Sequence, residues 1–126
     1  MKNNFYKKHD IMKGWNHPLA SKVRQLDLDR CTQETLQAIC MWRQLFLYKG
    51  KTSGLPQSLE PQLGFRPSLI DVTHSIQLLR NLKYVTLIDI EKEGTKRILK
   101  FDVNKHVIDE ALQPPMQDLL NENNLF

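Results

Sequence analysis

Apolar residues recur along this chain with two different periods, and the change between them divides it. From Leu69 onward they fall at Leu69, Val72, Ile76, Leu79 and Leu82, steps of three and four that share one face of a helix beginning about Ser68. After Lys83 the period becomes two. "YVTLIDIE", a "KEGT" turn and "KRILKFDV" predict a β-hairpin. A four-residue turn sets Glu91 opposite Lys96, Ile88 opposite Leu99 and Thr86 opposite Phe101. Thr86, Ile88, Ile90, Leu99 and Phe101 then form a face able to cover a core, and the opposite charges at the tip favour this register.

Upstream, "NHPLASKVRQL" predicts a helix with Leu19, Val23 and Leu26 on one face and Pro18 in its first turn, where no backbone N–H is needed. "DRCTQETLQAICMWRQLFLYKGK" predicts a long helix capped by Thr32, with Leu36, Ile39, Cys40, Arg43 and Leu47 on one stripe. Ala38, Met41, Trp42, Leu45 and Phe46 cover much of the remainder. A helix apolar nearly all round lies at the centre of a domain or also meets a partner subunit. Trp42, Phe46 and Tyr48 are expected in the core. "LPQSLEPQLGF" predicts a short helix with Ser58 as its cap and Pro61 in its first turn, closed by Gly64. Beyond the hairpin, "NKHVIDEAL", a Pro114-Pro115 break and "MQDLLNENNLF" carry a small apolar strip that packs on the body or on a partner.

A chain of 126 residues suits one domain. Three parts are expected: a basic N-terminal arm over residues 1–16, the main domain over 17–105, and an acidic helical segment over 106–126. Residues 1–105 hold all 18 Lys and Arg against 10 Asp and Glu, whereas 106–126 hold four acids and no Lys or Arg. A basic body suits an anionic partner, nucleic acid being the commonest. No apolar run approaches the length of a membrane span, and the N-terminus lacks a secretory cleavage site, so a cytoplasmic protein is expected. Cys31 and Cys40 form no CxxC pair, and the four histidines show no HxxxH or HExxH spacing, so neither metal nor cofactor is expected. GxSxG, Walker and GxGxxG motifs are absent, which argues against an enzyme.

Helix, short helix, glycine turn, helix and hairpin, over roughly residues 32–103, form an order that resembles the winged helix-turn-helix superfamily of DNA-binding proteins. Leu59, Leu63, Gly64, Val72, Ile76, Leu79 and Val85 match its Leu-rich short helix, its turn and its aliphatic pattern. The chain departs from that pattern between Gly64 and Val72, which is about two residues longer than a common spacing, and at Lys83, where a glycine often stands. The resemblance implies a mainly α fold with a small β-hairpin, extended by N- and C-terminal helical segments. It implies double-stranded DNA as partner and a homodimeric transcriptional regulator, a repressor of bacterial, plasmid or phage type. A replication or partition factor binding repeated sites, and a protein-interaction adaptor docking through Ile70 and the acidic C-terminal segment, are the alternatives.

On this resemblance the helix near Ser68 enters the major groove, where side chains of its first two turns reach base edges. Thr73, His74 and Gln77 are competent for that, and Asp71 can accept from cytosine or simply pair with His74. Arg66 and Ser68 stand at the helix start, Arg80 and Lys83 near its end, and Lys92, Lys96, Arg97 and Lys100 on the hairpin. Cations there contact phosphates, which position the protein without specifying a sequence. Lys2, Lys7, Lys8 and Lys13 can serve as a minor-groove arm.

Overall fold

A computed structural model describes residues 15–48, 63, 64 and 67–113. The N-terminal arm, most of the short Pro61 helix, Arg66 and the segment from Pro114 onward lie outside the described residues. Within them the chain is mixed α/β: helix α1 (Ala20–Gln25), helix α2 (Arg30–Trp42), strand β1 (Gln44–Tyr48), helix α3 (Leu69–Asn81), strands β2 (Val85–Glu93) and β3 (Lys96–Val103), and helix α4 (Lys105–Ala111). The three strands form one antiparallel sheet in the order β1-β3-β2.

α2 starts one turn earlier than expected and ends much sooner. Its N-cap is Asp29 and not Thr32; the Asp29 carboxylate accepts from the Thr32 backbone N–H at 3.1 Å and from the Thr32 hydroxyl at 2.5 Å. It stops at Trp42 because Arg43 turns left-handed, with φ 59°. Gln44–Tyr48 then run as a strand, so Arg43 and Leu47 leave the predicted helical stripe. Leu45 and Leu47 point into the core while Phe46 lies on the other face, half-buried. The apolar girth of α2 is explained within the domain: Thr32 and Thr35–Cys40 are all buried. Trp42 is a correction, because it stays 42 % exposed and meets Trp15 edge-on at 5.3 Å.

α3 matches its stripe. Ser68 caps it, its hydroxyl accepting from the Asp71 N–H at 3.1 Å, and Val72, Ile76 and Leu79 are buried. Leu82 is not; it is the C-cap and 40 % exposed. In the same core cluster are Leu36 and Ile39 of α2, Leu45 of β1 and Phe101 of β3, the last only 1 % exposed. Burying a side chain of that size contributes roughly 1.5–3 kcal/mol. α1 adds Val23 and α4 adds Ile108, both fully buried. A Lys22–Asp109 ion pair at 2.6 Å joins these two short helices at the surface.

The hairpin register differs from the expected one. The turn has two residues, Gly94 and Thr95, so Glu93 faces Lys96, Lys92 faces Arg97 and Ile90 faces Leu99. Gly94 has φ 60° and Thr95 stays on the negative side, the pattern of a type II′ turn, whose twist suits a hairpin. Between Leu87 and Asp89 the register shifts by one, which leaves Ile88 as an unpaired bulge residue, 56 % exposed. The expected core face therefore splits. Leu99 and Phe101 are buried as predicted, Thr86, Ile88 and Ile90 are exposed, and Val85 is buried with Leu87 half-buried beside it.

Candidate nucleic-acid interface

With Val72, Ile76 and Leu79 inward, the outer side of α3 presents Ile70, Asp71, Thr73, His74, Gln77, Arg80 and Asn81, all exposed. Helical spacing sorts them into two flanks. Asp71, His74 and Leu78 lean toward the start of α2. Thr73, Gln77, Arg80 and Asn81 lean toward the hairpin.

The α2-side flank borders a hollow of 210 Å³ lined by Asp29, Cys31, Thr32, Asp71, His74, Ser75 and Leu78. Its polar atoms are largely engaged with one another. The Thr32 hydroxyl bridges Asp29 at 2.5 Å and Ser75 at 3.0 Å, and Ser75 reaches the Cys31 sulfur at 3.5 Å. No ion pair joins Asp71 to His74 among the described residues. Two carboxylates and no Lys or Arg make this flank unfavourable for a phosphate.

The hairpin-side flank borders a groove of 570 Å³ lined by Gln77, Arg80, Asn81, Lys83, Val85, Thr86, Leu87, Asn104, His106 and Val107. No carboxylate lines it. Among the described residues no side-chain hydrogen bond or ion pair engages Gln77, Arg80 or the Lys83 ammonium. Thr73, one turn before Gln77, donates its hydroxyl to the Leu69 carbonyl at 2.7 Å, leaving its methyl and oxygen lone pairs outward.

Lys83 holds this groove in shape through an unusual backbone. Its N–H bonds the Arg80 carbonyl at 3.0 Å, and the Tyr84 N–H bonds the Leu79 carbonyl at 3.0 Å, the paired bonds of a Schellman ending. Such an ending needs a left-handed residue, normally glycine, and Lys83 adopts it with φ 66°. A side chain in that conformation costs roughly 1–2 kcal/mol. Asn104 braces the turn from the far wall, its amide donating to the Lys83 carbonyl at 2.8 Å and to the Thr86 hydroxyl at 3.0 Å.

On the hairpin the predicted cations part company. Lys92 and Arg97 are direct cross-strand partners, both exposed and unpaired among the described residues. Like charges so placed repel each other. Lys96 lies instead on the opposite face, half-buried, its ammonium 4.8 Å from the Phe46 ring centroid. Lys100 is held by Glu91 at 2.7 Å, a contact that raises its pKa. Ser68 is occupied as a helix cap, and Arg66 lies outside the described residues.

Asn104, His106 and Val107 had not been anticipated. They follow the hairpin in sequence, and only the return of the chain after β3 into α4 brings them to the groove. No group of three or more His, Cys, Asp and Glu among the described residues could hold a metal ion. No described helix is long and apolar enough to cross a membrane. The chain matches no protein-family model, no curated protein and no solved structure.

Proposed function

We propose that this chain is a sequence-specific double-stranded DNA-binding protein of winged helix-turn-helix type, working as a homodimeric transcriptional regulator. One observation carries the reading: Gln77 and Arg80, with exposed Thr73 one turn before, form a polar strip on α3, and the two lack a side-chain partner among the described residues and line a groove that has no carboxylate in its lining. Lys92 and Arg97 add repelling, unpaired cations on the hairpin, an arrangement relieved by an anionic partner. Gln77 is the base-reading side chain, able to pair with adenine. Arg80, Lys92 and Arg97 take phosphates. Repression follows from occupying a promoter, and self-association falls to the segments flanking the described core. β1 ties the hairpin to the helical body by pairing with β3, and the Phe101 N–H of β3 bonds the Arg43 carbonyl at the end of α2 at 2.9 Å.

Selection of bound duplexes from a random pool tests this reading. Gln77→Ala should change the selected motif, whereas Lys92→Ala should weaken every sequence alike. An unchanged motif with Gln77→Ala would remove α3 as the reading element. Tandem copies of the selected motif beside a replication origin in the parent DNA would make the protein a replication or partition factor.

Ile70 favours a second reading. It is 65 % exposed, the most exposed of the large apolar side chains among the described residues, and sits amid the polar strip. An adaptor would use it to dock a protein partner. Duplex affinity that falls steeply with salt supports DNA binding; absent or salt-insensitive binding supports the adaptor.

A further inference from the structure

The sequence of the turn after α3 runs against its own geometry. Position 83 takes up the left-handed backbone that glycine accepts freely, yet it carries a lysine. Its neighbours make the anomaly informative. Arg80 stands three residues earlier and His106 on the facing α4 wall, and no Asp or Glu lines the groove between them. Asn104 clamps the turn through the Lys83 carbonyl, so the backbone that carries the ammonium is fixed. A residue kept in a disfavoured conformation at the edge of a cationic groove points to a ligand for the side chain.

We propose that the groove between the end of α3, the start of β2 and α4 seats a backbone phosphate of duplex DNA, with Lys83 and His106 as contacts on opposite walls. This rests on the DNA-binding reading and deepens it. It extends the contact surface past the hairpin onto α4, and it gives the phosphate contact expected of Lys83 a second ligand, His106. The helix end alone does not demand this residue. A cation there interacts favourably with the helix dipole, but glycine would end the helix without strain.

Three variants separate the roles, using a fluorescent duplex pool and anisotropy across a salt series. Lys83→Gly keeps the backbone and removes the charge. Its affinity should fall about eightfold near 0.1 M salt, and the slope of log affinity against log salt should flatten by about 0.9, the signature of one lost phosphate contact. Its thermal midpoint should hold or rise. Lys83→Arg should retain affinity and slope. His106→Ala should lower affinity severalfold. Unchanged affinity and slope for Lys83→Gly would overturn the proposal, and so would a lowered midpoint, which would mean that the turn prefers lysine for stability. Full binding by His106→Ala would remove the α4 wall from the site. A wild-type protein that binds no duplex at all would sink the DNA-binding reading itself, an outcome distinct from these.

Discussion

The two flanks of α3 are both polar, yet they are put to opposite uses. Toward α2, hydroxyls, a thiol and a carboxylate bond one another: Asp29 to Thr32, Thr32 to Ser75, Ser75 to Cys31. Toward the hairpin, the side chains of Gln77, Arg80 and Lys83 line a larger groove with no internal partner among the described residues. Polar groups that satisfy each other hold two helices together. Polar groups left open beside a groove are free to bond a partner. The exposed strip of a helix is therefore not one surface, and Asp71 and His74 share with Gln77 and Arg80 only the element that carries them.

Breaking the first flank should give the largest effect. Thr32 is 2 % exposed and its hydroxyl bonds both Asp29 and Ser75, so Thr32→Val keeps the shape and removes the link between them. Urea unfolding should show a loss of about 1–3 kcal/mol, while on the proposed reading the folded fraction keeps the wild-type duplex affinity. Arg80→Gln should reverse that pattern. Its duplex affinity should drop about eightfold near 0.1 M salt, roughly 1.2 kcal/mol, with stability within about 0.5 kcal/mol of wild type. A stability loss for Arg80→Gln, or a binding loss for Thr32→Val, would dissolve the distinction between the flanks.

The smallest effect concerns pH and lies behind α2, away from both flanks. His17 bonds the buried Gln37 amide oxygen at 2.5 Å through Nε2, and its Nδ1 accepts from the Leu19 N–H at 3.2 Å. Burial lowers its pKa; the Gln37 contact raises it in part, and Arg24 and Arg43 lower it further. Below the usual value of 6.5 the unfolded chain takes up a proton that the folded protein resists. This contribution to stability is present above that value and is lost as pH falls through the lowered one. The thermal midpoint should accordingly climb toward pH 6.5 and then level off, and His17→Gln should flatten the climb. A midpoint indifferent to pH in the wild type would remove His17 as its cause.

Much of α3 was legible because one residue class in three or four decides its inward face, and Ser68 supplies a local cap. The end of α2 was not, since Arg43 closes it without glycine or proline, and the alternation in "QLFLY" spans only five residues. Even so, buried Leu45 and Leu47 flanking a half-buried Phe46 carry the period of a strand. The hairpin was recognisable but its register was not. A two-residue turn and the Ile88 bulge each move the pairing by one step or more, and neither leaves a mark in composition. At the site, Gln77 and Arg80 followed from helical spacing. Asn104 and His106 could not, because their place depends on how α4 packs after the sheet is complete.

The central position of β3 has a consequence for how the molecule comes together. Gln44 pairs with Lys100 and Val85 with Val103, so both outer strands depend on the one made last. Until Lys96–Val103 leaves the ribosome, β1 is an orphan segment with nothing to hydrogen-bond, and closing it across so long a stretch of chain is slow. Assembly should therefore be late and abrupt, with α1, α2 and α3 coming together before the sheet and α4 close over them.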